Sequence, residues 1–262
     1  MLITLWRQCY LSYKALFTWR DWPAYTANVL VRPALMATVF GLTGRFARGE
    51  QAAFDYVVGM SAFSMMNIVL AGILQSFSGE RQYGTLGLLV ASPAGRLQAF
   101  LTRSVLHYPN GLLNIAVGLA WSALALNIGF GAADWPTVFV GFLVLALSAT
   151  MFSLFMGNLA IVFRNWNYFM ALTTAFWMVF TGVVIPRDSL PAGLYQISEV
   201  MPMTHALEGI REGFSGASLV AFSEELALEL LVGSIYAVIG FVLFRLLEGY
   251  IRSSGAYELS EV

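Results

Sequence analysis

Charge is what this chain has least of. Across 262 residues only 11% are Asp, Glu, Lys or Arg, against roughly 25% in a soluble domain. The 14 basic and 15 acidic residues nearly cancel, and no stretch gathers enough Lys or Arg to track a phosphate backbone, so nucleic acid is excluded as a main partner. The single cysteine, Cys9, leaves no intrachain disulfide and no thiolate metal cage. The two histidines, His107 and His205, stand far apart and no H-E-x-x-H is present, which argues against a metal centre. Lysine is scarcer still: the only one, Lys14, sits in "LSYKALF". The phosphate-binding loop G-x-x-x-x-G-K-[ST] therefore cannot be built, and this chain does not hydrolyse ATP by itself.

What fills the chain instead is apolar. Hydrophobic residues make up 58% and the mean hydropathy is +0.72. Six runs, at 27–44, 56–78, 104–128, 136–163, 166–186 and 226–247, are long and greasy enough to cross a bilayer, for which roughly 18 residues suffice. The reading is an all-α polytopic membrane protein with six transmembrane helices, organised as a single domain over residues 1–262. The run 136–163 exceeds a perpendicular crossing, so it tilts, bends or projects into the cytoplasm.

Residues 1–22 read differently. Leu2, Leu5, Trp6, Cys9, Tyr13, Leu16 and Phe17 recur at steps of three and four, with Thr4, Arg7, Gln8 and Ser12 opposite. This is an amphipathic interfacial helix, and no cleavable signal is expected in it. Six crossings put both ends on one side. Arg7, Lys14, Arg20, Arg81, Arg96, Arg103, Arg164, Arg245 and Arg252 fall on that side, and Arg45, Arg48, Arg187 and Arg211 on the other. The imbalance predicts both termini in the cytoplasm.

Chemistry in a membrane core usually announces itself by buried charge, since each ionisable residue near the midplane costs about 2.5–3.5 kcal/mol on insertion scales. The runs hold no central Asp or Glu; Glu229 and Arg245 lie near the ends of the last, and His107 near the start of the third. Arg32, deeper and followed by Pro33, is placed to snorkel back to the cytoplasmic headgroups. A proton- or sodium-coupled carrier is therefore not expected. "GFSG" at 213–216 matches an intramembrane protease fragment, but both histidines precede Ser215 where a later one is needed. Asn67, Gln75, Asn114, Asn127 and Asn158 are expected to bond between helices, Gly41 and Gly44 to let helices approach, and Met60, Met65 and Met66 to pack.

The most informative text is "GERQYGTLGLLVASPAG", residues 79–95, a cytoplasmic connection by this topology. After Glu80 and Arg81, the side chains of Tyr83, Leu86, Leu89 and Val90 share one helical face, and Pro93 ends it. Glu80 near its start suits a helix dipole, while Gly84 and Gly87 make it a poor autonomous helix that needs a docking partner. The stretch resembles the E-R-x-x-G-T-L-x-x-L-x-x-[ST]-P signature of the membrane subunits of type 2 ABC exporters. A second region, "FTGVVIPRDSLPAGLYQISEVMPMTHALEGIRE" at 180–212, is similar to that family's G-x-x-x-P-x-x-x-L-P segment followed by P-[LM]-T-H-A-[LIV]-x-x-x-R.

The resemblance implies one half of an exporter. Two such permeases pair, as homodimer or paralogous heterodimer, over two separate ABC ATPase subunits, which bind the ATP and Mg; no cofactor is expected in this chain. Glu80, Arg81, Tyr83, Gly84, Thr85, Leu86, Leu89 and Pro93 would couple to the ATPase. Gly87 departs from the pattern, where many relatives carry Glu, so one polar contact with the ATPase is expected to be missing. The region 187–225, with Pro186 just before it and Pro191, Pro202, Thr204, His205 and Arg211 within it, would form an external re-entrant segment and gate between helices 5 and 6. The expected cargo is an amphipathic small molecule, drug, antibiotic or lipid, with multidrug efflux as one form; a polysaccharide or lipo-oligosaccharide is the alternative. A membrane scaffold or lipid-active enzyme is the reading outside transport. The expected location is a bacterial-type cytoplasmic (inner) membrane.

Overall fold

The computed structural model describes residues 22–82, 107–162, 166–184, 187 and 190–254. Every regular element among them is helical. Helix α1 (Trp22–Thr26) passes through a π turn (Ala27–Val31) into α2 (Arg32–Arg48). Then come α3 (Glu50–Gln82), α4 (His107–Leu126), α5 (Trp135–Val162), α6 (Trp166–Phe180), α7 (Ala192–Glu199), α8 (Thr204–Phe214) and α9 (Ser223–Ser254). The interfacial helix expected at the N-terminus lies outside the described residues, apart from Trp22.

Among the described residues, five segments are long and apolar enough to cross a membrane: Ala27–Arg48, Glu50–Gln75, His107–Leu126, Trp135–Leu159 and Ser223–Leu247. The fifth expected crossing, 166–186, comes out shorter. Helix α6 has 15 residues, about 22 Å at 1.5 Å per residue, against a hydrocarbon core of about 30 Å. It stops at Phe180 because Gly182 takes a φ of 80°, the left-handed conformation with which glycine ends helices. The fourth run behaves as its length predicts, forming one uninterrupted helix of 28 residues.

Helix α3 is apolar on all sides and forms the hub, with 78% of its span buried. It packs against α2, α4 and α5, and Val57, Val58, Met65, Met66, Leu70 and Leu74 are wholly inaccessible. A helix hydrophobic all round belongs inside a bundle. The outer helices α2 and α9 instead expose Leu35, Val39 and Phe46, and Leu231, Ile235, Val238 and Leu246, which suits hydrocarbon as solvent.

Helices α2 and α3 form a tight hairpin joined by Gly49 alone, at φ 90°. Its closeness is set by Gly44, where a Cβ would lie 2.6 Å from the Ala52 carbonyl oxygen and 2.8 Å from Ala53 Cα. The "GLTG" motif thus packs helices within this chain. At this distal end Phe54, Phe130, Trp135 and Phe214 form a ring cluster with centroids 5.3–5.9 Å apart. It ties together the α2–α3 hairpin, the 127–134 turn and the end of α8. This is the distal end; the opposite, proximal end holds the starts of α1 and α4.

Candidate functional site

Two constructions occupy the ends of the bundle. The proximal one begins with a proline. Pro33 has no N–H to donate, and the N–H of Arg32 reaches back five residues to the Ala27 carbonyl, closing the π turn. The Asn28 carbonyl is thereby left without its helical donor. The Asn114 amide takes it, donating at 3.2 Å from α4. On the other side Asn67 donates to the Phe63 carbonyl and accepts from the Thr174 hydroxyl of α6 at 3.2 Å.

These amides line a cavity of about 630 Å³ between α2, α3, α4 and α6. Asn28, Asn67, Gln75, Asn110 and Asn114 give it a neutral polar side, and Met36, Phe40, Met60, Phe63, Met170 and Met178 an apolar one. The His107 ring lies directly on the Gly72 backbone, where a Cβ would meet it at 2.2 Å. No carboxylate stands among the lining residues described; the formal charge is Arg32, exposed at the mouth. Asn67 and Asn114 bond between helices as expected, and they face this space as well. Asn158 bonds the Gly240 carbonyl of α9 at 2.9 Å, away from the cavity.

The distal construction is built on α8. Val138 lies against Gly213, Ile210 against Gly141, and Glu229 joins Ser148 to the start of α8. Each step of α8 toward its start is matched by an equal step down α5, so the two run antiparallel. The start of α8 therefore sits level with the middle of the Trp135–Leu159 span. This is the re-entrant segment expected between the last two crossings. Its first turn is capped by the Glu229 carboxylate, which accepts from the backbone N–H groups of Met203 at 2.8 Å and Ala206 at 3.2 Å and from the Ser148 hydroxyl. Glu229 is completely buried. The sequence placed it near a helix end; because α8 descends to meet it, it serves the middle of the bundle.

Of the residues expected at the gate, Pro191 caps the start of α7, and Pro202 is buried in the turn before α8. Thr204 and His205 are buried at the head of α8, and Arg211 lies in its last turn. His205 directs Nδ1 at the Glu225 carboxylate, 2.8 Å away, and Nε2 at the Glu199 carbonyl, 3.1 Å away, so it joins α7, α8 and α9. Arg211 donates to the carbonyls of Asp55 at 3.1 Å and Gly182 at 2.8 Å, sealing the end of α6 onto α3. Burial pushes the Arg211 guanidinium below its usual range, and the carboxylates of Asp55 and Glu208 oppose that. Gly59 lets the segment come this close: a Cβ there would lie 2.5 Å from the Val183 carbonyl oxygen.

Sequence reasoning missed Arg187 and its carboxylates. Arg187 is buried, donates to the Ser198 hydroxyl at 3.0 Å, and pairs with Glu199 and Glu208. Burial opposes its charge, but the two carboxylates hold it above its ordinary value. The available signal was a cationic residue in an otherwise weakly charged stretch followed by Glu199 and Glu208. Pro186 lies outside the described residues. So do Tyr83, Gly84, Thr85, Leu86, Leu89 and Pro93. Glu80 and Arg81 complete the last turn of α3 and do not open a new helix, since the single Gly79 is too weak a break to end one.

The family model of the ABC-2 type transporter matches residues 5–215. The chain is also similar to Nodulation protein J of Rhizobium meliloti (strain 1021), 22% identical over 233 residues covering 83% of this chain and 82% of that protein. It resembles Nodulation protein J of Sinorhizobium fredii (strain NBRC 101917 / NGR234) at 27% over 227 residues, covering 80% and 79% respectively. With the amphipathic cavity, the re-entrant helix and the two sequence signatures in place, this chain belongs to the ABC-2 type transporter family, as its membrane-embedded permease component.

Proposed function

We propose that this permease exports an amphipathic lipid with a hydroxyl-rich head, of the lipo-oligosaccharide class. The observation that carries the reading is the proximal cavity: amides on one side suited to sugar hydroxyls, methionines and phenylalanines on the other suited to an acyl chain. A cationic drug is the weaker cargo, since no carboxylate stands among the described lining residues. The cavity lies where the charge imbalance puts the cytoplasm, on the side from which an exporter loads.

Energy comes from a separate ABC ATPase, two copies beneath two permeases. Residues 80–93, with Glu80, Arg81, Tyr83, Gly84, Thr85, Leu86, Leu89 and Pro93, form the docking segment. Because α3 runs unbroken into Glu80 and Arg81, a push there reaches the cavity wall at Gln75 and Asn67 along one rigid helix. The distal set of Pro186, Pro191, Pro202, Thr204, His205 and Arg211 closes the outer gate.

The test is to tag the chain in its native cells, identify the copurifying ATPase, and reconstitute both in phosphatidylcholine vesicles. ATP hydrolysis is measured with an N-acylated glucosamine oligomer and with ethidium. Stimulation by the glycolipid alone is expected; stimulation by ethidium alone would replace this cargo class with cationic drugs.

A further inference from the structure

We infer that Arg32 is the anion-reading residue of the proximal cavity, selecting lipids whose head carries a phosphate group. The inference rests on the loading cavity described above and adds to it a charge preference. A cation held within a membrane span is expensive and normally finds a carboxylate or backbone partner. Arg32 makes no side-chain hydrogen bond or ion pair among the described residues, and no carboxylate stands with it on the cavity wall. The wall is otherwise neutral near it, with Asn28 and Asn114 beside the guanidinium's own turn.

Position supports the assignment. Arg32 opens α2 directly after the π turn, and Pro33 and the Asn28–Asn114 bond fix that backbone. A guanidinium fork matches phosphate oxygens bidentately, which an ammonium does not. From the same point Met36 and Phe40 continue along α2 as an apolar wall for an acyl chain. Charge at the mouth, amides within and an apolar wall beyond fit a phosphate-headed lipid, whether it is cargo or a lipid resident in the site.

The experiment uses the full chain purified in an uncharged maltoside detergent, with lipid retention read by native mass spectrometry. Probes are phosphatidic acid, phosphatidylcholine and diacylglycerol with identical acyl chains, and inorganic phosphate as competitor. The unaltered chain is expected to retain phosphatidic acid about tenfold over the other two, the scale of one charge-assisted pair. Arg32→Gln should remove that preference, Arg32→Lys should keep part of it, and Arg48→Gln at the distal end should leave it unchanged. Equal preference in the unaltered chain and Arg32→Gln would overturn the proposal and reduce Arg32 to a snorkelling residue. Displacement of phosphatidic acid by inorganic phosphate would overturn the lipid class. A thermal melt of each variant separates loss of binding from loss of fold. In the reconstituted complex, ATP hydrolysis that rises with phosphatidic acid content identifies cargo, and hydrolysis indifferent to it a resident lipid; the site stands in both cases. Because binding is read on the chain alone, its failure is distinct from failure of the export reading, which would leave binding intact while ATP hydrolysis ignored the glycolipid.

Discussion

Glu229 ties α5, α8 and α9 together through one side chain. Its carboxylate satisfies two backbone donors at the head of α8 and the Ser148 hydroxyl of α5, and Met203, held at φ 88°, depends on it for its N–H. Removing it orphans buried groups at about 1–3 kcal/mol each. Glu229→Ala is therefore expected to lower the melting temperature sharply, whereas Glu229→Gln keeps one oxygen for the Met203 N–H and the Ser148 hydroxyl and sets an amide donor against the Ala206 N–H, so it should lose less than the alanine variant without matching the unaltered chain. Equal losses in the two variants, measured by thermal unfolding in detergent, would contradict the capping role. The Arg187 cluster makes a second prediction. Burial raises Glu208 above its ordinary 4.5, and the Arg187 charge pulls it back only in part. The folded chain thus holds this proton to higher pH than the unfolded chain does. From Glu208, stability falls as pH rises from 4.5 through the raised value and is recovered on acidification. Glu208→Gln should remove that slope while keeping a partner for Arg187. Arg187→Met leaves the part-exposed carboxylates of Glu199 and Glu208 without their cation and is expected to cost about 1 kcal/mol, the scale for solvent-accessible pairs.

Elements in this fold are set as much by close backbone approach as by hydrophobicity. Gly44 and Gly59 each face backbone atoms that cannot step aside, the Ala52 carbonyl and the Val183 carbonyl. Gly44→Ala is expected to wedge α2 off α3, and Gly59→Ala to lift the 182–184 segment and strain the Arg211 clamp. Gly129 meets nothing within 4 Å of a built Cβ, so Gly129→Ala should be silent in melting temperature and export. The helices themselves were legible in the sequence because a bilayer demands long apolar runs, and five of the six expected runs have helices that meet the length. The fifth run, now α6, was overestimated, because "TGVV" is as apolar as a helix while Gly182 and the Arg211 clamp turn it out of one. The π turn was half-legible: Pro33 announced a defect, but the capture of the freed Asn28 carbonyl by Asn114 depends on a helix more than eighty residues away. The Arg187–Glu208 and His205–Glu225 pairs were hidden for the same reason, since period and composition carry no information about which distant charges meet.

At the scale of the whole molecule the two ends of the bundle set the direction of transport. The alternation of helices puts Gly49, the 127–134 turn and the 215–222 loop at one end, tied by the Asp134 backbone N–H donating to the Gly213 carbonyl at 2.8 Å and by the Phe54–Phe130–Phe214 rings. The start of α4 lies at the other. Geometry fixes that these ends oppose each other, and the expectation of cytoplasmic termini would put the distal end outside. The cavity opens at the proximal end, so the same assignment decides whether it is a loading or a release site. The chain has a single cysteine, and Cys9→Ser provides a clean background. In intact cells a membrane-impermeant maleimide is expected to label Gly131→Cys and Ser218→Cys, both in distal loops, and to reach Asn110→Cys only after the cells are opened. Labelling in the reverse pattern would put the amide-lined cavity on the outer face. The re-entrant helix α8 would then close the cytoplasmic side, and the export reading would fail as a whole.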